Sequence, residues 1–374
     1  MPAGGKETQM IDVAEDWLKS GKYAEIDGHQ LRPIENPLLR GTPLAPVRGQ
    51  AQAFYLRDEQ NCDWILKKFS PARIPDSAYI KAIQALVPRR PGFMSGYLRT
   101  VLSKKDVSKS GFFTADFAAW VENTVLMPRI KCDDWAALAE KVRKGAATLS
   151  RDERALLCEK LSEQIGLLES HDLSHRDLSV TNVFVDVQAQ IVHLIDWDCL
   201  FHPSLSMPPN TTFGTDGYVA PFVKNSGFTD ARLTWRPRAD RFSMAILNAE
   251  FLCMDAGTPL RNDGGMFEQD ELYNRGGPEI GGVVNNLRQN FPGAAALLEK
   301  ALRAQGFDDC PSPAEWLAMG TPVPAASPNL APAAHAAGAA SQPGAAPPAN
   351  PGGFVLLDEA AFVRLDEGAF ASLA

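Results

Sequence analysis

The chain has 374 residues, of which 45% are apolar and 22% charged, with a formal net charge of −8. That length serves one large domain or two of ordinary size, and the balance is that of a soluble globular protein. The negative charge argues against non-specific binding to nucleic acid or to an anionic membrane, since both need a positive surface. Six cysteines are scattered without a C-x-x-C pair or a partnered histidine spacing, so reduced thiols in a cytoplasmic protein are expected, not disulfides or zinc. The N-terminus has no apolar signal-peptide core, and no apolar run approaches the about 18 residues of a membrane span.

Residues 1–29 read as an N-terminal extension. Residues 30–130 hold strand-like pieces, "AQAFYLRD" and "CDWILKKF", and one helical pattern, "DSAYIKAIQALV". From 131 to 320 helical periodicity dominates, in "DDWAALAEKVRKG", "RDERALLCEKLSEQIGLLESH", "RADRFSMAILNAEFLC" and "PGAAALLEKALRAQG". Residues 321–353 are Pro, Ala, Gly and Ser with almost no charge, a composition that cannot bury enough area to offset its ordering entropy, so a disordered linker is expected. A short apolar and acidic tail, 354–374, follows. The expected class is α+β, with a small sheet-rich lobe ahead of a larger helical one.

The chemistry concentrates in "SHRDLSVTNVFV". Asp177 and Asn182 are five apart in a loop after a long amphipathic helix, which lets one act as a base while the other reaches a metal. The stretch "VFVDVQAQIVH", a strand-turn-strand pattern, then delivers "LIDWD" and puts Asp196 at a strand end, suited to a magnesium ligand. Further on come "GTDGYVAP" and "RADRFSMAIL", and upstream "WILKKF".

Together these motifs resemble the eukaryotic-like Ser/Thr protein kinase superfamily over roughly residues 30–318. The match is to H-R-D-L-x-x-x-N, to the strand that carries the phosphate-gripping lysine, and to the G-T-x-x-Y-x-A-P end of an activation segment. The resemblance implies a bilobal protein-kinase-like fold and cofactors ATP and Mg2+, with Mn2+ as a substitute. It implies Asp177 as catalytic base with Arg176 beside it, Lys67 on the phosphates, and Asn182 and Asp196 on the metal. Val47, Gly49, Ile65, Met127, Pro128 and Ile130 would border the nucleotide, Ile130 offering its N–H to the base. His175 and Asp240 would be structural, Asp240 tying down the loop backbone. Thr211, Thr212 and Thr215 fall in the activation segment, with Thr211 or Thr212 the expected phosphorylation site facing Arg176. Lys68 would point to the opposite strand face, as a solvated lysine. The spacing is most similar to a bacterial subfamily with Asp-Leu-Ser in place of Asp-Leu-Lys. Besides the protein substrate, that likeness implies a protein phosphatase and a von Willebrand A-domain protein as partners.

Four departures stand out. The nucleotide loop aligns with "VRGQAQAF", which has only Gly49 where the family pattern has three glycines. No glutamate lies between Glu59 and Glu122 to pair with Lys67; Gln84 is read first as a surface glutamine, with a neutral substitute for that glutamate as the alternative. Ser179 replaces a lysine near the transferred phosphate. Phe222 and Cys310 occupy the positions of a Glu and an Arg that form a buried ion pair in typical kinases. Losing one partner would strand a charge at about 3–5 kcal/mol, whereas losing both together reads as repacking.

An active Ser/Thr kinase is the expectation. The alternatives are a pseudokinase scaffold, favoured by the bare phosphate loop, and a small-molecule phosphotransferase, disfavoured by the GTxGYxAP segment. The tail repeats itself, "FVLLDEAAF" at 354–362 and "FVRLDEGAF" at 362–370, and two such sites on a flexible tether suit recruitment of a multivalent docking partner.

Overall fold

The computed structural model describes residues 4–319 except 49–50, 75, 209–210, 212 and 225–230. The expected linker and repeated tail lie outside the described residues. Helix α1 (Gly4–Ser20) leads into β1 (Ala24–Ile26), and β2 (His29–Pro33) folds back on it. The turn between them is Asp27-Gly28, both at positive φ (51° and 77°), and Ile26 faces His29 across it. Asp-Gly is the pair that such a two-residue hairpin favours. There follow β3 (Val47–Arg48), β4 (Ala51–Asp58), β5 (Asp63–Phe69), α2 (Ser77–Leu86), α3 (Met94–Tyr97), β6 (Thr100–Val101), β7 (Val107–Gly111), α4 (Ala115–Val121) and β8 (Val125–Pro128).

All these strands join one antiparallel sheet, ordered β6-β8-β5-β4-β2-β1-β7, with β3 on β4. Alternating apolar residues of β4 and β5, Phe54, Leu56 and Leu66, face Trp17 of α1 and Phe117 and Trp120 of α4 in one buried cluster. The sheet therefore begins before residue 30. Ala14, Trp17, Ala24 and Ile26 are fully buried, so the expected extension is part of the sheet's core.

The rest is mainly helical: β9 (Asp133–Asp134), α5 (Trp135–Arg143), α6 (Arg151–Ser170), β10 (Val183–Asp186), β11 (Ile191–Leu194), α7 (Pro221–Lys224), α8 (Arg241–Cys253), α9 (Gln269–Asn274), α10 (Pro278–Asn290), α11 (Pro292–Arg303) and α12 (Pro313–Ala318). The capping box of Ser150 and Glu153 starts α6. Almost every residue of α8 is buried, as befits a helix that is apolar all round. It contacts α6, α10 and α11. Strands β10 and β11 form the expected hairpin, in register from Val183↔Leu194 to Asp186↔Ile191. The class is α+β. Among the described residues no helix is long and apolar enough to cross a membrane, and all six cysteines are free thiols.

Candidate active site

The loop between α6 and β10 is fixed from below by the residue that opens α8. Asp240, only 2% exposed, accepts the backbone N–H of His175 at 2.6 Å and of Arg176 at 2.7 Å. Burial pushes its carboxyl up to about 6, against the two N–H groups that favour the charge. Arg176 sits at φ 70°, a left-handed conformation that costs energy for a non-glycine residue and persists only when its surroundings hold it. His175 is buried, and burial lowers its pKa to about 4, so the ring is neutral. Its Nε2–H then donates to the Ile195 carbonyl at 2.8 Å, and its ring edge meets Trp197 at 4.9 Å between centroids.

Asp177 is held by three polar contacts. Its Oδ1 accepts from the Thr215 hydroxyl at 2.9 Å and its Oδ2 from Asn182 Nδ2 at 3.2 Å, while its own carbonyl accepts from the same amide at 2.7 Å. Burial, with Asp196 adding repulsion, raises the Asp177 carboxyl to about 6. The Asn182 Oδ1 makes no hydrogen bond among the described residues, and is left as an oxygen donor.

Strand β5 brings Lys67 to this place from 129 residues away in sequence. Its Nζ lies 2.6 Å from Asp196 Oδ1 and 2.6 Å from Asp198 Oδ2. Burial would lower the lysine pKa, but the two carboxylates outweigh it and hold the amine well above its ordinary value. Asp196 follows β11 in a left-handed conformation, φ 63°. Asp198 is gripped again from the other side, its Oδ1 2.5 Å from Nη2 of the buried Arg99. Burial alone would raise the Asp198 carboxyl, but Lys67 and Arg99 bring it far below the usual carboxylate range.

Gln84 on α2 is exposed, as its reading as a surface glutamine expects. The acidic partner of Lys67 comes instead from the segment after β11. Lys68 does point to the other strand face, but it is not solvated there. Its Nζ bonds the Trp120 carbonyl at 2.5 Å and lies 5.3 Å from that ring's centre, and burial lowers its pKa to about 8.

The remaining sites divide by position. Ile65 pairs with Met127 and Trp64 with Pro128 in the β5–β8 register. Ile130 lies just beyond β8, half-buried, with its N–H unbonded among the described residues. Val47 pairs with Gln52 and Arg48 with Ala51 in the β3–β4 register. Gly49 itself, and Thr212, lie outside the described residues. Ser179 is fully buried, its hydroxyl 3.3 Å from that of Thr181.

Arg176 reaches toward the segment that ends in "GTDGY". Its Nη1 donates to the Thr211 hydroxyl at 2.7 Å and its Nη2 to the Thr234 hydroxyl at 2.6 Å, with its guanidinium 4.8 Å from the Trp235 ring centre. Beneath the same segment, buried Glu250 of α8 accepts from the Tyr218 hydroxyl, the Trp135 indole and the Met266 N–H, and burial lifts its pKa to about 7. At the segment's end Phe222 packs edge-on to Phe307, centroids 4.9 Å apart, while Cys310 is buried as a thiol.

Asp198, Arg99 and Glu250 were not singled out from the sequence. An acidic residue inside the apolar run "MAILNAEFLC" signals Glu250, and the doubled aspartate of "DWD" signals Asp198. Arg99 carries no local signal. No protein-family model matches the chain, and no curated protein matches it.

Proposed function

We propose that this chain is a cytoplasmic protein kinase of bilobal, eukaryotic-like form that transfers the γ-phosphate of ATP to Ser/Thr hydroxyls, its own included. One observation carries this reading. The Lys67–Asp196 ion pair and the Asp177–Asn182 hydrogen bond, drawn from three separate stretches of sequence, come close enough together that Asp196 and Lys67 both act on the Asp177 carboxyl. Phosphoryl transfer needs little beyond positioning and charge neutralisation, and these are the groups for it.

Magnesium fits the donor set. The described residues hold no cluster of three or more His, Cys, Asp or Glu side chains arranged for a metal. Asp196 and the unengaged Asn182 Oδ1 supply two hard oxygens, which suits an ion completed by phosphates and water. When bound, the ion would neutralise the phosphate charge. Lys67 would bind the nucleotide phosphates, and the free Ile130 N–H would meet the base. Asp177, oriented by Thr215 and Asn182, would accept the proton of the attacking hydroxyl at its carboxylate. The likeness to phosphatase-linked kinases adds a protein phosphatase and a von Willebrand A-domain protein as proposed partners.

A second reading, nucleotide binding without transfer, draws on the aligned nucleotide loop "VRGQAQAF", which carries only Gly49 where the kinase pattern has three glycines to let backbone N–H groups reach the phosphates. Incubating the purified full chain with labelled ATP and magnesium or manganese, then locating the label by mass spectrometry, separates the two. Phosphate on Ser or Thr supports the kinase; bound nucleotide with no phosphopeptide supports the second reading.

A further inference from the structure

In this site the carboxylate that keeps Lys67 in place must be one that a metal does not claim. Asp196 is the proposed metal ligand, yet its Oδ1 is 2.6 Å from Lys67 Nζ, so the lysine and the ion compete for it. Asp198 is under no such demand. Its Oδ2 is 2.6 Å from Lys67 Nζ and its Oδ1 2.5 Å from Arg99 Nη2, so both oxygens are already committed to cations.

Arg99 is 1% exposed, and its Nε and Nη1 are buried without a partner among the described residues. Asp198 is its one carboxylate there. A buried guanidinium in that condition has strong reason to hold Asp198 still. Its own position is set by the sheet: Thr100, the next residue, pairs with Leu126 of β8, and β8 pairs Val125 with Lys67 itself. The chain Arg99–Asp198–Lys67 is therefore anchored at both ends to one sheet, and α2 supplies none of its three side chains, though Tyr79 of α2 donates to the Leu200 carbonyl, two residues beyond Asp198, at 2.7 Å.

We propose that Asp198, clamped by Arg99, is the positioning residue that holds Lys67 against the nucleotide phosphates in place of a helix glutamate. The inference rests on the kinase reading above. When Asp196 turns to a metal, Asp198 keeps the amine in register. Because the partner is not a side chain of α2, the Lys67 ion pair does not depend on a glutamate carried by that helix.

The test uses the full chain, with ATP varied at fixed magnesium, and reads autophosphorylation and phosphorylation of dephosphorylated casein. Variants are Asp198→Asn, Arg99→Met and the double substitution, each with a thermal melt to set a working temperature below unfolding. A misplaced lysine acts mainly after binding. Asp198→Asn is therefore expected to lower kcat by about 30-fold or more with KM for ATP changed less than about threefold. Arg99→Met should give the same pattern more weakly, and the double variant should fall no further than Asp198→Asn, because the two residues act in series. Full kcat in Asp198→Asn, or losses that multiply in the double variant, would overturn the inference while leaving the kinase reading intact. A wild-type chain that transfers no phosphate overturns both.

Discussion

Arg176 Nη1 donates to the Thr211 hydroxyl at 2.7 Å, joining the residue before Asp177 to the one three before Gly214. Burial lowers the guanidinium's pKa, and a phosphate on Thr211 would give it a strong charged partner within reach. Phosphopeptide maps of active protein are expected to show phosphate on Thr211, and Thr211→Val to slow transfer about tenfold, some 1.4 kcal/mol of activation free energy. Fully active protein with an unmodified Thr211 contradicts this role.

Asp177→Asn should lower kcat by about 10²–10⁴-fold, the range of a lost general base, and keep nucleotide binding. Asp196→Ala should abolish magnesium-dependent transfer while leaving Lys67 paired with Asp198. Circular dichroism and melting curves should show both variants folded. Wild-type autophosphorylation by either one removes the assignment.

The Asp177 carboxyl, raised to about 6, must be ionised to act as base, so kcat/KM should climb with unit slope below about pH 6 and then level off. Stability moves the other way. A folded pKa above the ordinary 3.8 means that the folded state holds a proton the unfolded chain releases. Stability is therefore lost as pH rises from about 4 through 6. Urea denaturation at pH 4.5 and 7 should show the wild type losing more stability over that interval than Asp177→Asn does.

Glu250→Ala should destabilise the fold by about 3 kcal/mol, because it strands the Tyr218 hydroxyl, the Trp135 indole and the Met266 N–H in a buried site. A urea midpoint within error of wild type would show that these donors find other partners.

Phe222→Ala should cost about 2–3 kcal/mol through the lost ring contact with Phe307 and the cavity left behind. Phe222→Glu alone should cost more, since it sets a charge against the Phe307 ring in place of an apolar contact. Adding Cys310→Arg should recover part of that loss. Denaturation curves of the three variants decide it, and an additive double variant would mean that the two positions do not communicate.

The sequence by itself determined the elements whose side chains repeat at a fixed period. The alternation in "AQAFYLRD" is β4, and the apolar stripe of "RDERALLCEKLSEQIGLLES" is α6, because a strand or amphipathic helix buries one face and the pattern is local. The loop residues Asp177 and Asn182 were legible for the same reason, being five apart on one short turn. Helix α10 was not read, since Gly281, Gly282, Asn285 and Asn286 weaken its propensity; it forms because Ile280, Val284 and Leu287, at helical spacing, are buried in the core. Gln84 was read as a surface glutamine ahead of a neutral substitute for the missing glutamate, and the fold leaves it exposed. Only tertiary structure could choose Asp198 and Arg99 instead, through a sheet register that joins Lys67 to Val125 and Thr100 to Leu126. Pairings across some hundred residues depend on which groups burial forces together, and no local period records that.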